Sequence, residues 1–165
     1  MSVYGYHRVS TKEQHLDRGE YEIRTFCENN NMVLDDLFLD KLTGKTFDRP
    51  EFMVLKRIAR KGDCVLFTEI DRIGRNKKGI LEELRFFKEK GVRVMILELP
   101  TTLTDYSPMD DSLAGMLMET VNNMLIEMAA SLAHAEMMKR EKRQREGIEA
   151  KKRRGDWEDY GRPHA

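Results

Sequence analysis

At 165 residues the chain has room for one domain with its own hydrophobic core and is short for two. Its composition, 40% apolar and 35% charged, suits a globular protein in water, and no run of about 18 apolar residues offers a membrane span. The opening MSVYGYHRVS lacks a basic stretch leading into an apolar one, so no secretion signal is expected and a cytoplasmic location is. The formal net charge of zero hides an asymmetry. Residues 1–136 carry 19 basic and 23 acidic side chains, whereas residues 137–155 carry nine basic and three acidic ones. A local basic stripe is the footprint of a nucleic-acid contact, although a charged helix end is also an ordinary solvated face. Cys27 and Cys64 belong to no CxxC or Cys/His cluster, so both are expected to be buried and reduced, with no metal site.

In chain order, Val3–Val9 reads as a short strand, Gly19–Asn29 as a helix and Val33–Asp40 as a second strand. Glu51–Arg60 reads as a helix stopped by Lys61-Gly62-Asp63, followed by a compact apolar strand over Cys64–Thr68. Lys77–Lys90 is a helix ending at Gly91, and Val92–Leu99 a strand running into Pro100. Strands alternating with helices predict an α/β fold with a central, mainly parallel sheet covered by helices. The order of the strands does not follow from this pattern. Thr101–Asp111 is predicted as a polar loop. From Asp111 to Arg154 no proline intervenes, and Leu113, Leu117, Val121, Met124, Leu125, Met128 and Leu132 recur at helical spacing. One helix of that length spans about 60 Å, so its first half should pack on the sheet or a partner and its second half should project. Six of the eleven methionines lie on it, which suits either an adaptable interface or a methionine-rich core face.

Three segments carry candidate chemistry. In Tyr6-His7-Arg8-Val9-Ser10-Thr11-Lys12-Glu13-Gln14, strand alternation points Arg8 and Ser10 one way and His7 the other. Ser10 then ends the first strand, at the rim where open parallel sheets bind ligands, although a serine there is also an ordinary cap. His7 is expected to be a strand-face residue. Asp71-Arg72-Ile73-Gly74-Arg75-Asn76 follows the strand Cys64–Thr68, and the loop from Asp40 to Pro50 delivers Arg49. Three strand ends therefore offer arginine toward one edge. The Gly44-Lys45-Thr46 triplet is not a P-loop, because that motif needs glycine where Leu39 stands.

YxRVSTxxQ, DKxxGxxxxRP, a Gly62-Asp63 pair before a strand and DRIGRN, in this order and spacing, resemble the small serine recombinases of the resolvase/invertase type. The resemblance runs through the long helix to Tyr160-Gly161-Arg162-Pro163, which is similar to the segment leading into that family's DNA-binding domain. It implies that Ser10 attacks the scissile phosphate to give a 5′-phosphoserine link and a free 3′-hydroxyl. Arg8, Arg49, Arg72 and Arg75 would surround the phosphate, with Gln14 and Asp71 close by. It also implies a tetramer assembled from homodimers on double-stranded DNA, with no small-molecule cofactor and no metal. The stripe of Lys139, Arg140, Lys142, Arg143, Arg145, Lys151, Lys152, Arg153 and Arg154 would approach the DNA backbone.

The domain boundaries that follow are a catalytic domain over 1–110, a dimerisation and DNA-contacting helix over 111–154, and over 155–165 the start of a linker. The chain is expected to be a fragment that binds DNA poorly without the family's helix-turn-helix. Two positions depart from the pattern. Arg18-Gly19-Glu20 stands where the family often has glutamine, and Met137 where many relatives show arginine. The alternative reading is therefore a catalytically weak or inactive DNA-binding regulator with the recombinase fold.

Overall fold

A computed structural model describes residues 1–10, 16–42, 48–106, 109 and 111–155, with Ser10, Leu16, Asp17 and Leu42 described by backbone alone. The first strand, β1 (Val3–Ser10), is flanked in a four-stranded sheet by β2 (Asp36–Leu42) on one side and β3 (Cys64–Phe67) on the other. The fourth strand, β4 (Arg93–Ile96), pairs with β3, giving the order β2-β1-β3-β4 with every pairing parallel. Parallel neighbours need a crossover, and helices α1 (Leu16–Asn29), α2 (Pro50–Ile58) and α3 (Lys77–Glu89) supply them. This is the α/β architecture anticipated from the alternating pattern.

Side-chain alternation along β1 divides the core in two. Tyr6 turns to a cluster with Phe38, Phe52, Leu55, Phe67, Ile80 and Phe87, which packs α2 and α3 on one face. Val3 turns to the other face, where Ile23 and Cys27 of α1 meet Cys64, Leu66 and Met95. Both cysteines are buried and unpaired with each other by any disulfide. All four residues of β3 are buried, as a central parallel strand requires.

The observed elements differ from the expected ones mainly at their ends. β2 begins at Asp36 rather than Val33, because Asp35 uses its carboxylate to accept the Val3 amide at 2.7 Å and Val33 is 79% exposed. It also runs on to Leu42, so Asp40 is a strand residue and not the start of a loop. β4 is half its expected length, matched to the four residues of β3 that it pairs with. Where the loop Thr101–Asp111 is expected to begin, Pro100–Leu103 forms a single helical turn, α4. Its Thr102 hydroxyl is the reason, bonding the Ile96 amide at 2.8 Å and the Leu99 carbonyl at 2.7 Å.

The last element, α5 (Leu113–Arg154), is a single helix of 42 residues. Ser112 caps its start by accepting the Gly115 amide, and Gly155 closes it in the left-handed conformation at φ 79°. Two parts of α5 are buried among the described residues: Gly115 against Met109, and Ala130, with Ile126, Ala129 and Ala133 beside it. Ion pairs Lys77–Glu127 at 3.2 Å and Lys88–Glu119 at 2.7 Å run along the α3–α5 contact. The other face of its first half exposes Met116, Leu117, Val121, Met124, Met128 and Leu132. No helix among the described residues is long and apolar enough to cross a membrane.

Candidate active site

The chain leaves β1 toward β2 through α1 on one face, and leaves β3 toward β4 through α3 on the other. Neighbouring strands whose connections diverge leave a crevice at their carboxyl ends, where open α/β sheets bind ligands. Here that crevice lies between β1 and β3. Ser10 is the last residue of β1, and its backbone is paired with Leu42. A short 3-10 turn, Ile70–Arg72, follows β3 on the opposite lip.

The turn is held from several sides. Glu98, just beyond β4, accepts the Ile70 amide at 2.5 Å, and Arg8 of β1 donates from Nη2 to the Asp71 carbonyl at 2.6 Å. Arg49 donates from Nη1 to the Ile73 carbonyl at 2.5 Å, with the Arg72 carbonyl at 3.5 Å. Gly74 follows because the chain presses on the first turn of α3, where a Cβ would stand 2.6 Å from the Ile80 amide nitrogen. Asn76 then caps α3 by accepting the Gly79 amide at 2.8 Å.

Arg8, Arg49 and Arg72 are thereby gathered around one turn. Burial pulls the Arg8 pKa below its ordinary value, Asp71 opposes that shift, and the charges of Arg72 and Arg49 reinforce it. Confining cations that repel one another primes a site for an anion. Arg72 pairs with Glu69 and, at 3.4 Å, with Asp71. Its Nε, and Oδ1 of Asp71, are buried with no hydrogen-bond partner among the described residues. Arg49 is 9% exposed, lies 3.9 Å over the Phe52 ring and meets Glu83 at 3.4 Å. Arg75 is exposed on the same loop and takes no part in this network among the described residues. Gln14 lies outside the described residues, as does the segment from Tyr160 to Pro163.

Asp40 explains how Arg49 reaches the site. Arg49 itself offers no side-chain cap to α2, and Asp40 does so from β2, accepting the Glu51 and Phe52 amides at 3.1 and 3.0 Å. It also accepts from the Tyr6 hydroxyl at 2.9 Å, and burial together with this carboxylate pushes the Tyr6 pKa upward. His7 faces α1, as alternation requires, and its Nδ1 lies 2.9 Å from the Thr68 hydroxyl. Burial, and then the positive charge of Arg72, lowers its pKa from 6.5 to about 4. Its neutral ring is therefore on the face of β1 away from Arg8.

Three charged residues at the site were not singled out from the sequence: Glu69, Lys56 and Glu83. Burial raises the Glu69 pKa against the pull of Arg72. A glutamate in a loop carries no signal of this. Glu83 had one: it stands in the apolar stripe of α3 between Ile80 and Phe87, where a carboxylate needs a partner.

The family model for the resolvase N-terminal domain matches residues 3–157. A resolvase/recombinase from Pseudomonas putida is 28% identical over 152 residues, covering 92% of this chain and 74% of the relative. The Tn3 resolvase of Escherichia coli is 31% identical over 98 residues, which are 59% of this chain and 51% of that protein. The chain thus matches only about half the length of that curated relative. Among solved structures, the N-terminal catalytic domain of TP901-1 integrase aligns with a TM-score of 0.53 at 22% identity, covering 78% of this chain and 98% of that one. A resolvase-family recombinase from Streptococcus pneumoniae aligns at 0.52 and 21%, covering 93% and 99%. These two likenesses concern the fold. With the family match extending over nearly its whole length, the chain belongs to the resolvase family, whose N-terminal domain it matches.

Proposed function

We propose that this chain cleaves and rejoins DNA through Ser10, with Arg8, Arg49, Arg72 and Arg75 around the scissile phosphate and Gln14 and Asp71 beside it. The observation that carries the reading is the convergence of Arg8, Arg49 and Arg72 on the turn facing the end of β1. The Ser10 oxygen forms a bond to phosphorus as the bond to the 3′-oxygen breaks. The product is a 5′-phosphoserine linkage and a free 3′-hydroxyl, and attack by a 3′-hydroxyl reverses the step. Negative charge gathers on the equatorial oxygens, which planar guanidinium groups match with fixed donors. Preorganised positive charge of this kind is commonly the largest catalytic term. The serine ester conserves the broken linkage, so rejoining requires no nucleotide cofactor. His7 is not the base, because it is bonded to Thr68 on the opposite face of β1.

The domain reading is a catalytic body over 1–110, a helix over 111–154 that serves both dimerisation and DNA contact, and the start of a linker over 155–165. The exposed row from Met116 to Leu132 supports a partner subunit there, and a tetramer of two such dimers would exchange the strands. The basic side chains of Lys139 to Arg154 lie on the largely exposed second half of α5, which supports a phosphate contact.

The test is a covalent-adduct assay with the full-length protein, a supercoiled plasmid carrying the flanks of its gene, and Ser10→Ala as control. An adduct that survives denaturation and is lost in the control is the expected result. Binding without an adduct, at every site tried, overturns it in favour of a DNA-binding regulator.

A further inference from the structure

Beside the arginine cluster, one carboxylate is shared by two cations from α2 and its approach. Glu83 of α3 presents Oε1 to Arg49 Nη2 at 3.4 Å and Oε2 to Lys56 Nζ at 2.6 Å. The Lys56 contact is close but is not aligned as a hydrogen bond, so it is chiefly one of charge. All three side chains are at most 20% exposed. Aromatic rings fix both cations: Arg49 lies over Phe52 at 3.9 Å and Lys56 over Phe86 at 4.1 Å.

We infer that Glu83 and Lys56 are a matched pair of positioning residues for Arg49. Glu83 orients the guanidinium, and Lys56 neutralises Glu83 so that Arg49 keeps its attraction for phosphate. The inference rests on Arg49 serving as a phosphate ligand. Its physical basis is the inequality of the two contacts. The carboxylate lies 2.6 Å from lysine and 3.4 Å from arginine, so the shorter pairing is with the cation inside α2, while Arg49 stands just before that helix. Arg49 is tethered to Glu83 by the longer contact. Without Lys56, the largely buried Glu83 would have Arg49 as its remaining cation in this trio, and a DNA phosphate would have to compete with it. Because Arg49 also donates to the Ile73 carbonyl, drawing it toward Glu83 would disturb the turn that carries Arg72.

A pair with only a structural role makes a different prediction from a positioning pair. If Glu83 merely joins α2 to α3, the substitutions shift the thermal melt and leave the adduct rate of the folded protein unchanged. If Lys56 restrains Glu83, removing Glu83's charge repairs the loss of Lys56. The experiment measures the rate of Ser10-dependent adduct formation by the full-length protein and its Lys56→Met, Glu83→Gln and doubly substituted forms. DNA affinity and a thermal melt are recorded for each. Lys56→Met is expected to slow adduct formation about tenfold, and the double substitution to return it to within about threefold of the unaltered protein. Lys56→Arg should retain the unaltered rate. If Lys56→Met does not fold, Lys56→Gln replaces it in the same cycle. A double variant no faster than the single lysine variant overturns the inference, as does a lysine variant as fast as the unaltered protein. Failure of the unaltered protein to form any adduct would instead overturn the assignment of Ser10, before the variants are compared.

Discussion

His7 on β1 and Gly19 on α1 occupy space that only one of them can fill: a Cβ on residue 19 would stand 2.2 Å from the His7 ring. The glycine at the first departure from the family pattern therefore has a local cause, which is room for an imidazole. In most helices Gly→Ala is stabilising by up to about 1 kcal/mol. Here Gly19→Ala is expected to destabilise by roughly 1–3 kcal/mol through overpacking. In a His7→Ala background the same change should become neutral or stabilising. A thermal or urea cycle of the four proteins measures this, and a Gly19→Ala effect of the same sign in both backgrounds would refute it. The same ring predicts a pH dependence. Its pKa falls from 6.5 in the unfolded chain to about 4 in the fold, so between those values the unfolded state binds the extra proton. Stability associated with His7 is full above pH 6.5 and is lost as pH falls toward 4, by at most on the order of 3 kcal/mol. His7→Ala should flatten the Tm-versus-pH curve in that window; an unchanged slope would exclude His7 as its source.

Among the elements, α5 has an unusual division of labour. Among the described residues its apolar contact with the body centres on Ala130, while large side chains on its first half point to water. A methionine- and leucine-rich row left exposed on a helix is a surface in want of a partner. Met124→Cys, with the buried Cys27 and Cys64 retained, is expected to form an intersubunit disulfide under mild oxidation. Non-reducing electrophoresis checks this, and no product at any protein concentration would remove the case for this face as the dimer contact. The two exposed ion pairs to α3 contribute little, about 1 kcal/mol or less each, so packing at Ala130 holds the helix in place.

Over the whole molecule, charge is partitioned along the chain. Residues 1–136 carry more acidic than basic groups, and the projecting end of α5 carries the opposite excess. Affinity for duplex DNA of arbitrary sequence is expected to reside in that end and to fall steeply with salt. Each phosphate contact removed should reduce the slope of log K against log salt by about 0.9. Replacing Arg153 and Arg154 by alanine is therefore expected to lower the slope by about 1.8 if both reach phosphates. Fluorescence anisotropy across a salt series measures it, and an unchanged slope would place the contact elsewhere.

The α/β class, the 3.6-residue period of the long helix and the motifs around Arg8, Arg49 and Arg72 were legible in the sequence. They are local patterns of hydrophobicity and residue type, which chain neighbours alone reveal. Strand alternation likewise anticipated that His7 turns away from Arg8. The strand order, the crevice between β1 and β3, the sharing of Glu83 by Arg49 and Lys56, and the exclusion of any Cβ at Gly19 were settled only in three dimensions. Each depends on residues far apart in the chain meeting across a sheet or between two helices, where distance and burial, not sequence spacing, set the chemistry.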